Sequence, residues 1–341
     1  MFKNKCLYVK IEHEVFVMRK LLAILISIIC LLSLTACSGS SNKIVIYTCQ
    51  EEERIQAMKS SIKDKFPDLN VVIEQVGTGN LAAKIKSEGE EIEADIIIDL
   101  EASHMENLKD NFADLNCINT NIYLNNVNPG HNKYFMWVKN HAAITVDVSY
   151  FEQNGLSYPT SYEDLLENKY QGLIAMPDPT TSGTGYAYYL NLVNLKGEQG
   201  ALNYFKNLTN NIKQYTQSGS GPISLLKQGE IAIAMGMEFQ GVAEINNGSN
   251  YKIVELDTGA PYNQTGAAII EGKQNKENVK ELFEYLINDF HYIDCEEYVP
   301  GKLLINQETK VPNYIDMEDA NMDGLDDINL KQELLGKWDF S

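Results

Sequence analysis

Arginine is nearly absent from this chain. Beyond Arg19, Arg54 is the only one in 341 residues. A bidentate guanidinium clamp on an anion is thus available at one place at most. The neighbours Glu52 and Glu53, inside a helical pattern, put Arg54 on a surface. Proline is scarce, at nine, and charged residues make up 22 % against 44 % hydrophobic. That balance excludes collagen, coiled coil and disorder as the main state, and the length suits about two domains. Cysteine has no paired spacing: positions 6, 30, 37, 49, 117 and 295 contain no CxxC. A disulfide scaffold or a structural zinc site is therefore not expected. Positive charge is short, with 47 acids against 28 bases for a net −19. Such a chain repels phosphate backbones, so no nucleic-acid partner is expected. Catalytic signatures are missing as well: there is no GxSxG, HExxH or Walker motif. Gly77-Thr78-Gly79 and Gly183-Thr184-Gly185 each lack the third glycine of a dinucleotide loop. The reading is a protein without catalytic residues, metal or cofactor.

What is present begins with one apolar run, 21–34 (LLAILISIICLLSL), broken only by Ser27 and Ser33. It is short for a bilayer span of ~20 residues and suits the h-region of an export signal, preceded by Arg19 and Lys20. Leu34-Thr35-Ala36-Cys37 follows and resembles a bacterial lipobox, in which the Cys is the cleavage point and its sulfur takes diacylglycerol. Residues 18–36 then form a lipoprotein signal peptide, and 37–42 hold the lipidated Cys37 and a short flexible tether. Glu12 and Glu14 put acid where an n-region is basic, so translation is expected from Met18, with 1–17 a mis-annotated extension. The expected location is extracytoplasmic, at the cell membrane. Cys49, Cys117 and Cys295 remain after cleavage, an odd number that leaves at least one free thiol; buried, inert thiols are expected.

The segment 43–48 (KIVIYT) reads as a strand, followed by Ile55, Met58, Ile62 and Phe66 at helical spacing, ended by Pro67. Residues 70–76 form a second strand, 81–85 open a second helix, and 94–100 (ADIIIDL) form a third strand. This β-α-β-α-β order predicts a parallel sheet covered by helices. Residues 134–148 read as one or two strands with a possible break at Lys139-Asn140-His141. Thr160-Ser161-Tyr162-Glu163 fits a capping box. A strand at 172–176, a helix from 181 to a C-cap at Gly197, and a further helix around Phe205 follow. Strands at 230–237, 251–256 and 266–270, an amphipathic helix near Leu282 and a polar, helical tail complete the pattern. The fold class is α/β, in two units: 43–140 as the first part of one lobe, 141–255 as the other, and 256–341 as the return with the tail. Two hinge-linked lobes bury a ligand between them.

Three small-residue turns each precede an expected helix, at 77–80, 181–185 and 218–221. Helix N-termini carry free N–H groups and about half a positive charge. Seryl and threonyl hydroxyls beside them add donors, and the set suits a phosphate, phosphonate or carboxylate. Thr78, Gly79, Asn80, Ser182, Gly183, Thr184, Gly185, Ser218, Gly219 and Ser220 are the candidate contacts. Asp319-Ala-Asn321-Met-Asp323-Gly324 starts like a calcium loop, but Leu330 stands where the bidentate Glu belongs, so a polar turn is expected.

The lipobox, the β-α-β-α-β opening, SGTGY at 182–186, QYTQSGSGP at 214–222 and EIAIAMGMEF at 230–239 together resemble a known family. It is that of ABC-transporter solute-binding lipoproteins for ferric iron, thiamine, phosphonates or sugar phosphates. The resemblance implies a two-lobed type II periplasmic-binding-protein fold, each lobe a sheet flanked by helices with a ligand cleft between. It also implies a monomer that delivers a small solute to permease and ATPase subunits. Iron binders of this family place a His after the first strand and two adjacent Tyr after the strand matching 230–237. Here those places hold Glu51 and Glu238-Phe239. The resemblance adds Thr48, Gln50, Glu51, Glu101 and Glu238 as contacts, and favours a phosphonate, phosphate ester or thiamine-type ligand. Ferric iron is the alternative, ahead of a secreted enzyme built on Cys49 and His104 or a sensor on the same fold.

Overall fold

The computed structural model describes residues 43–340, apart from 125, 126 and 128. The extension, signal segment, Cys37 and tether lie outside the described residues, among which no helix is long and apolar enough to cross a membrane. Lys43–Thr48 forms β1, buried from Ile44 onward, as its β-branched apolar run requires. Helix α1, Glu52–Lys65, carries Glu52 and Glu53 in its first turn and Lys63 and Lys65 in its last, the arrangement the helix dipole favours. It buries Arg54, Ile55, Met58 and Ile62. After β2, Asn70–Gln75, helix α2, Thr78–Glu88, buries Leu81, Ala82 and Ile85. Strand β3, Ile96–Glu101, is followed by α3, Ala102–Asn107. Strands β1 and β3 pair in parallel, in line with the βαβ order.

Strand β4, Phe135–Asp147, is a single strand of 13 residues. Residues from Phe135 to His141 pair antiparallel with β9, Tyr262–Ile269. From Ala142 onward the partners change to β7, Ile233–Met237, and to β8, Tyr251–Val254. The suspected break at Lys139-Asn140-His141 is therefore a change of partners within one strand, next to a register irregularity between Met136 and Lys139. Helix α4, Val148–Asn154, starts at an Asp147 cap and ends at Gly155 in the left-handed region. Strand β5, Ile174–Pro177, pairs in parallel with β6, Ile212–Thr216, and with β7. The full order is β2-β1-β3-β9-β4-β7-β5-β6, with β8 on β4.

Helix α5, Gly183–Leu208, is broken at Gly197 (φ 70°, ψ 164°), where the sequence ends one helix and begins another. The helix expected after Thr160 is only a short 3-10 turn, Asp164–Leu166. Its box is closed by the Asp164 carboxylate, which accepts from the Thr160 and Ser161 N–H groups. Helices α6, Gly221–Lys227, and α7, Glu238–Asn246, flank β7 in sequence. Helices α8, Val279–Tyr285, and α9, His291–Glu297, are joined by a π-helical turn at Leu286–Phe290. The last helix, α10, is Ile328–Leu335.

The buried side chains form two main clusters. The first joins β1, β3, the start of β4, β9, α8 and α9. The second joins the end of β4, β5, β7 and α5, and takes in Leu334 of α10 and Trp338. Trp338 lies against Tyr189, Phe205, Tyr215 and Phe340. Two lobes of α/β construction result, with β4 and β9 running from one to the other.

Candidate functional site

Strands β1, β2, β3, β5, β6 and β7 all end at one cavity of about 460 Å³, which residues from both lobes line. Ligand sites of open α/β sheets lie at such carboxyl ends. The first lobe supplies Cys49, Glu51 and Arg54 after β1, Gly77 and Thr78 at the start of α2, and Asp99 and Glu101 from β3. Asn140 of β4 and Asn263 and Thr265 of β9 come from the shared strands. The second lobe supplies Thr181, Ser182, Gly183 and Thr184 at the start of α5, Gln217 to Ser220 before α6, and Met237.

All three small-residue turns thus reach the same space, though not with every residue. Thr78, Ser182, Gly183, Thr184, Ser218, Gly219 and Ser220 line the cavity together with Glu51 and Glu101. Gly79 and Asn80 face outward, exposed. Gly185 is packed on backbone: a Cβ there would meet the Pro177 carbonyl oxygen at 2.4 Å. Thr48 is fully buried, its hydroxyl accepting from the Gln50 N–H. Gln50 is buried too and donates to Asp294. Glu238 is 1 % exposed and accepts from the Ile315 N–H, away from the cavity. Burial pushes its carboxyl up to about 8. No group of three or more His, Cys, Asp or Glu suited to a metal occurs among the described residues. In the 319–324 segment Asp319 is bridged to Ala260 and pairs with Lys139 and His141, and a turn begins at Asp323.

The cavity has two chemically different sides. On the second lobe, the first-turn amides of α5 and the hydroxyls of Thr181, Ser182, Thr184, Ser218 and Ser220 are donors. The turns touch closely: a Cβ on Gly219 would lie 2.6 Å from Thr184 Oγ1. The first-lobe side carries carboxylates. Arg54, expected at a surface, is 2 % exposed. Its Nε and Nη2 donate to Asp294 at 2.8 and 2.7 Å, and its Nη1 to Asp99 at 2.8 Å and Glu51 at 3.2 Å. Every guanidinium nitrogen is committed to a carboxylate, so Arg54 organises the acidic wall and does not clamp an anion. Asp294 is saturated from the other side by Gln50 and by Trp137 Nε1 at 2.8 Å.

Asp99 reaches the cavity because β3 is irregular between Ile97 and Leu100, with Asp99 itself at φ 66°. A non-glycine residue held there costs backbone energy, of order 1–3 kcal/mol. Burial pushes its carboxyl up to about 6, with Arg54 pulling the other way. Glu101 behaves differently. Burial raises its carboxyl, but Lys331 of α10, bonded to Oε1, together with His104 and the Ser103 hydroxyl, more than offsets this and leaves it below the ordinary range. Ser103 donates to the same oxygen at 3.0 Å. Glu101 Oε2 sits 2.9 Å from where a Cβ of Gly183 would be, and Asn263 Nδ2 sits 3.0 Å from it. Glu101 is therefore gripped between the start of α5 and a lysine of the last helix. Burial, with Asp99 nearby, pushes the Cys49 thiol up to about 12, so it is protonated at neutral pH. Asn140 and Asn263, about nine-tenths buried, each have a side-chain oxygen with no partner in the protein; a buried acceptor requires a donor.

Arg54, Asp99, Gln217, Asn140, Asn263 and Thr265 escape sequence reading as site residues. The positive-φ bulge inside ADIIIDL is silent in composition. The asparagines become site residues only when β4 and β9 are laid side by side.

Solved structures share this architecture. The periplasmic binding protein AfuA from Actinobacillus pleuropneumoniae, with exogenous fructose-6-phosphate bound, superposes with a TM-score of 0.76 at 21 % identity. That match covers 88 % of this chain and 98 % of that one. The periplasmic binding protein P5PA gives 0.71 at 22 % identity over 87 % and 98 %. Iron-bound HitA from Pseudomonas aeruginosa gives 0.72 at 15 % identity over 86 % and 98 %. At these identities the likeness is one of fold. A curated protein of Haemophilus influenzae, named only as an uncharacterized protein, is 30 % identical over 130 residues. The match spans 38 % of this chain and 38 % of that one. The family model described as bacterial extracellular solute-binding protein matches residues 91–299, more than half of the chain, and the protein belongs to that family.

Proposed function

We propose that this protein is the solute-binding component of an ABC importer, held outside the cell membrane through Cys37. It captures a small phosphonate or phosphate ester and hands it to a permease. The lobes, 43–140 and 141–255 with the return after 256, close on the ligand, which favours the closed state. The observation that carries this reading is the convergence of the 77–78, 181–184 and 218–220 turns on one cavity, with no guanidinium left to bind an anion. An anion there would be met by helix-start amides and hydroxyls. The unpartnered oxygens of Asn140 and Asn263 call for a donor on the same solute, as a hydroxyl or an ammonium supplies. The fructose-6-phosphate found on AfuA has both features.

Ferric iron is the second reading, favoured by the iron on HitA and by the carboxylates of Glu51, Asp99 and Glu101, which line the cavity but are not gathered into one cluster and would have to draw together on the ion. Hard anionic oxygens suit that ion. Thermal unfolding of the protein, unfolded and refolded to strip carried ligand, separates the two. The panel holds inorganic phosphate, aminoethylphosphonate, hexose phosphates, thiamine phosphates and ferric citrate. A ligand at one hundred times its Kd adds about 2.7 kcal/mol. Stabilisation by phosphorus compounds alone is the expected result. Stabilisation by ferric iron alone overturns the anion reading.

A further inference from the structure

A second cavity, of about 630 Å³, adjoins the first; Glu51, Arg54 and Ser220 line both. Its volume is that of a small-molecule site, and its walls differ in kind. Phe239 from the first turn of α7 and Tyr298 from the end of α9 face it, with Ile223 and Val311. Phe239 comes from the second lobe yet packs on the edge of the first-lobe core, as Tyr298 does. The cavity therefore has an aromatic side drawn from both lobes.

Its charge is one-sided. Glu51, Glu53, Glu244 and Glu297 line it against Arg54, Lys227 and Lys310. Arg54 is shared among Glu51, Asp99 and Asp294, Lys227 holds Glu244 at 2.8 Å, and Lys310 is shared between Glu296 at 2.6 Å and Glu297 at 3.7 Å. Among the described residues no cation pairs with Glu53. Burial, with the Glu53 and Glu297 carboxylates beside it, pushes the Tyr298 hydroxyl up. The side-chain oxygen of Gln240, which also lines the cavity, is buried without a partner. Aromatic faces amid excess carboxylate attract an organic cation.

We propose that the solute has two charged ends. The phosphate or phosphonate lies against the helix starts, and an organic cation lies in the adjoining cavity against Phe239, Tyr298 and Glu53. This rests on the anion reading of the first cavity and deepens it. A plain sugar phosphate would leave the second cavity to water.

The test is isothermal titration of the full chain with four probes: phosphocholine, its uncharged carbon isostere 3,3-dimethylbutyl phosphate, choline, and a hexose 6-phosphate. Phosphocholine is expected to bind about ten-fold or more tightly than the isostere, as cation–aromatic contact in a desolvated site allows. Phe239→Ala and Glu53→Gln are expected each to shrink that ratio by several-fold. Glu53 is exposed, so its variant tests the charge without threatening the core. Equal binding of phosphocholine and the isostere, or a ratio that survives both substitutions, overturns the inference and leaves the anion reading standing. Choline binding as tightly as phosphocholine overturns the anion reading and upholds the cation cavity. A hexose phosphate that outbinds phosphocholine overturns the inference alone.

Discussion

Lys331 should be worth far more to this protein than a surface lysine. Its side chain is 8 % exposed and that of its partner Glu101 is 7 %. The pair joins α10, whose Leu334 lies in the second-lobe core, to the end of β3 in the first. Replacing Lys331 by Met keeps the bulk and leaves the Glu101 carboxylate with the Ser103 hydroxyl and the nearby His104 but no lysine. Removing one partner of a buried pair costs about 3–5 kcal/mol. Replacing both by neutral groups, as in Lys331→Met with Glu101→Gln, recovers most of that. The pH dependence carries a definite sign. In the wild type the Glu101 carboxyl lies below its ordinary value. Its contribution is therefore present above the unfolded-state value of about 4.3 and is lost as pH falls through the lower folded value. Without the lysine, burial raises Glu101 against only the weaker pull of His104 and the Ser103 hydroxyl, so the variant regains stability relative to wild type as the carboxyl protonates. Urea unfolding at pH 7 and at about pH 4.5 should show the gap between the two proteins narrowing in acid. A gap equally wide at both pH values, or a double variant no more stable than Lys331→Met, would refute the reasoning.

Two neighbouring glycines should separate binding from folding. Gly183→Ala pushes against Glu101 and Asn263 side chains across the cleft and should weaken solute affinity with little change in urea midpoint. Gly185→Ala drives a Cβ into the Pro177 carbonyl and should destabilise by about 1–3 kcal/mol; midpoints in the reverse order would contradict this. Thiol titration with a chromogenic disulfide at pH 8 should find Cys117, which is exposed, reacting first. Cys49 should stay slow despite lining the cavity, because its thiol is pushed up to about 12; rapid modification of Cys49 would show that the burial is overstated. Asp294→Asn leaves the buried Arg54 short of a charge partner and should cost about 3–5 kcal/mol, read by urea unfolding; a change below about 1 kcal/mol would mean Asp99 alone suffices.

The strands that read well from sequence are those with short β-branched runs, such as IVIY in β1 and ADIII around β3. The three turns read well because small residues stand directly before a helical period. Arg54 did not, since its partners Asp99 and Asp294 are 45 and 240 residues away and its sequence neighbours are exposed acids. Glu238 follows a strand end, as the site residues do, yet its carboxylate turns toward Ile315. Strand direction predicts which backbone reaches the cavity, but the side chain's azimuth depends on what packs behind it. Lys331 lies in a tail that looks solvated, and only docking of α10 makes it a cleft residue. Periodicity carries local structure; these residues depend on non-local pairings that periodicity does not encode.

The exchange of partners within β4 has a consequence for how the polypeptide is made. Strand β3, which carries β1 and β2 on its other side, finds its neighbour β9 only after residue 269 has been synthesised. Most strands of the other lobe are already present by residue 254. Pairings separated by some 170 residues are slow to close. During emergence from the ribosome or a translocon the middle of the chain should consolidate first. The opening strands can pair with one another, but the far edge of β3 would wait, apolar and open, for the return crossing. A truncation just before β9 would then leave those early strands without a seam to join, and fragments ending near residue 260 should show a protease-resistant centre flanked by a cleavable N-terminal third.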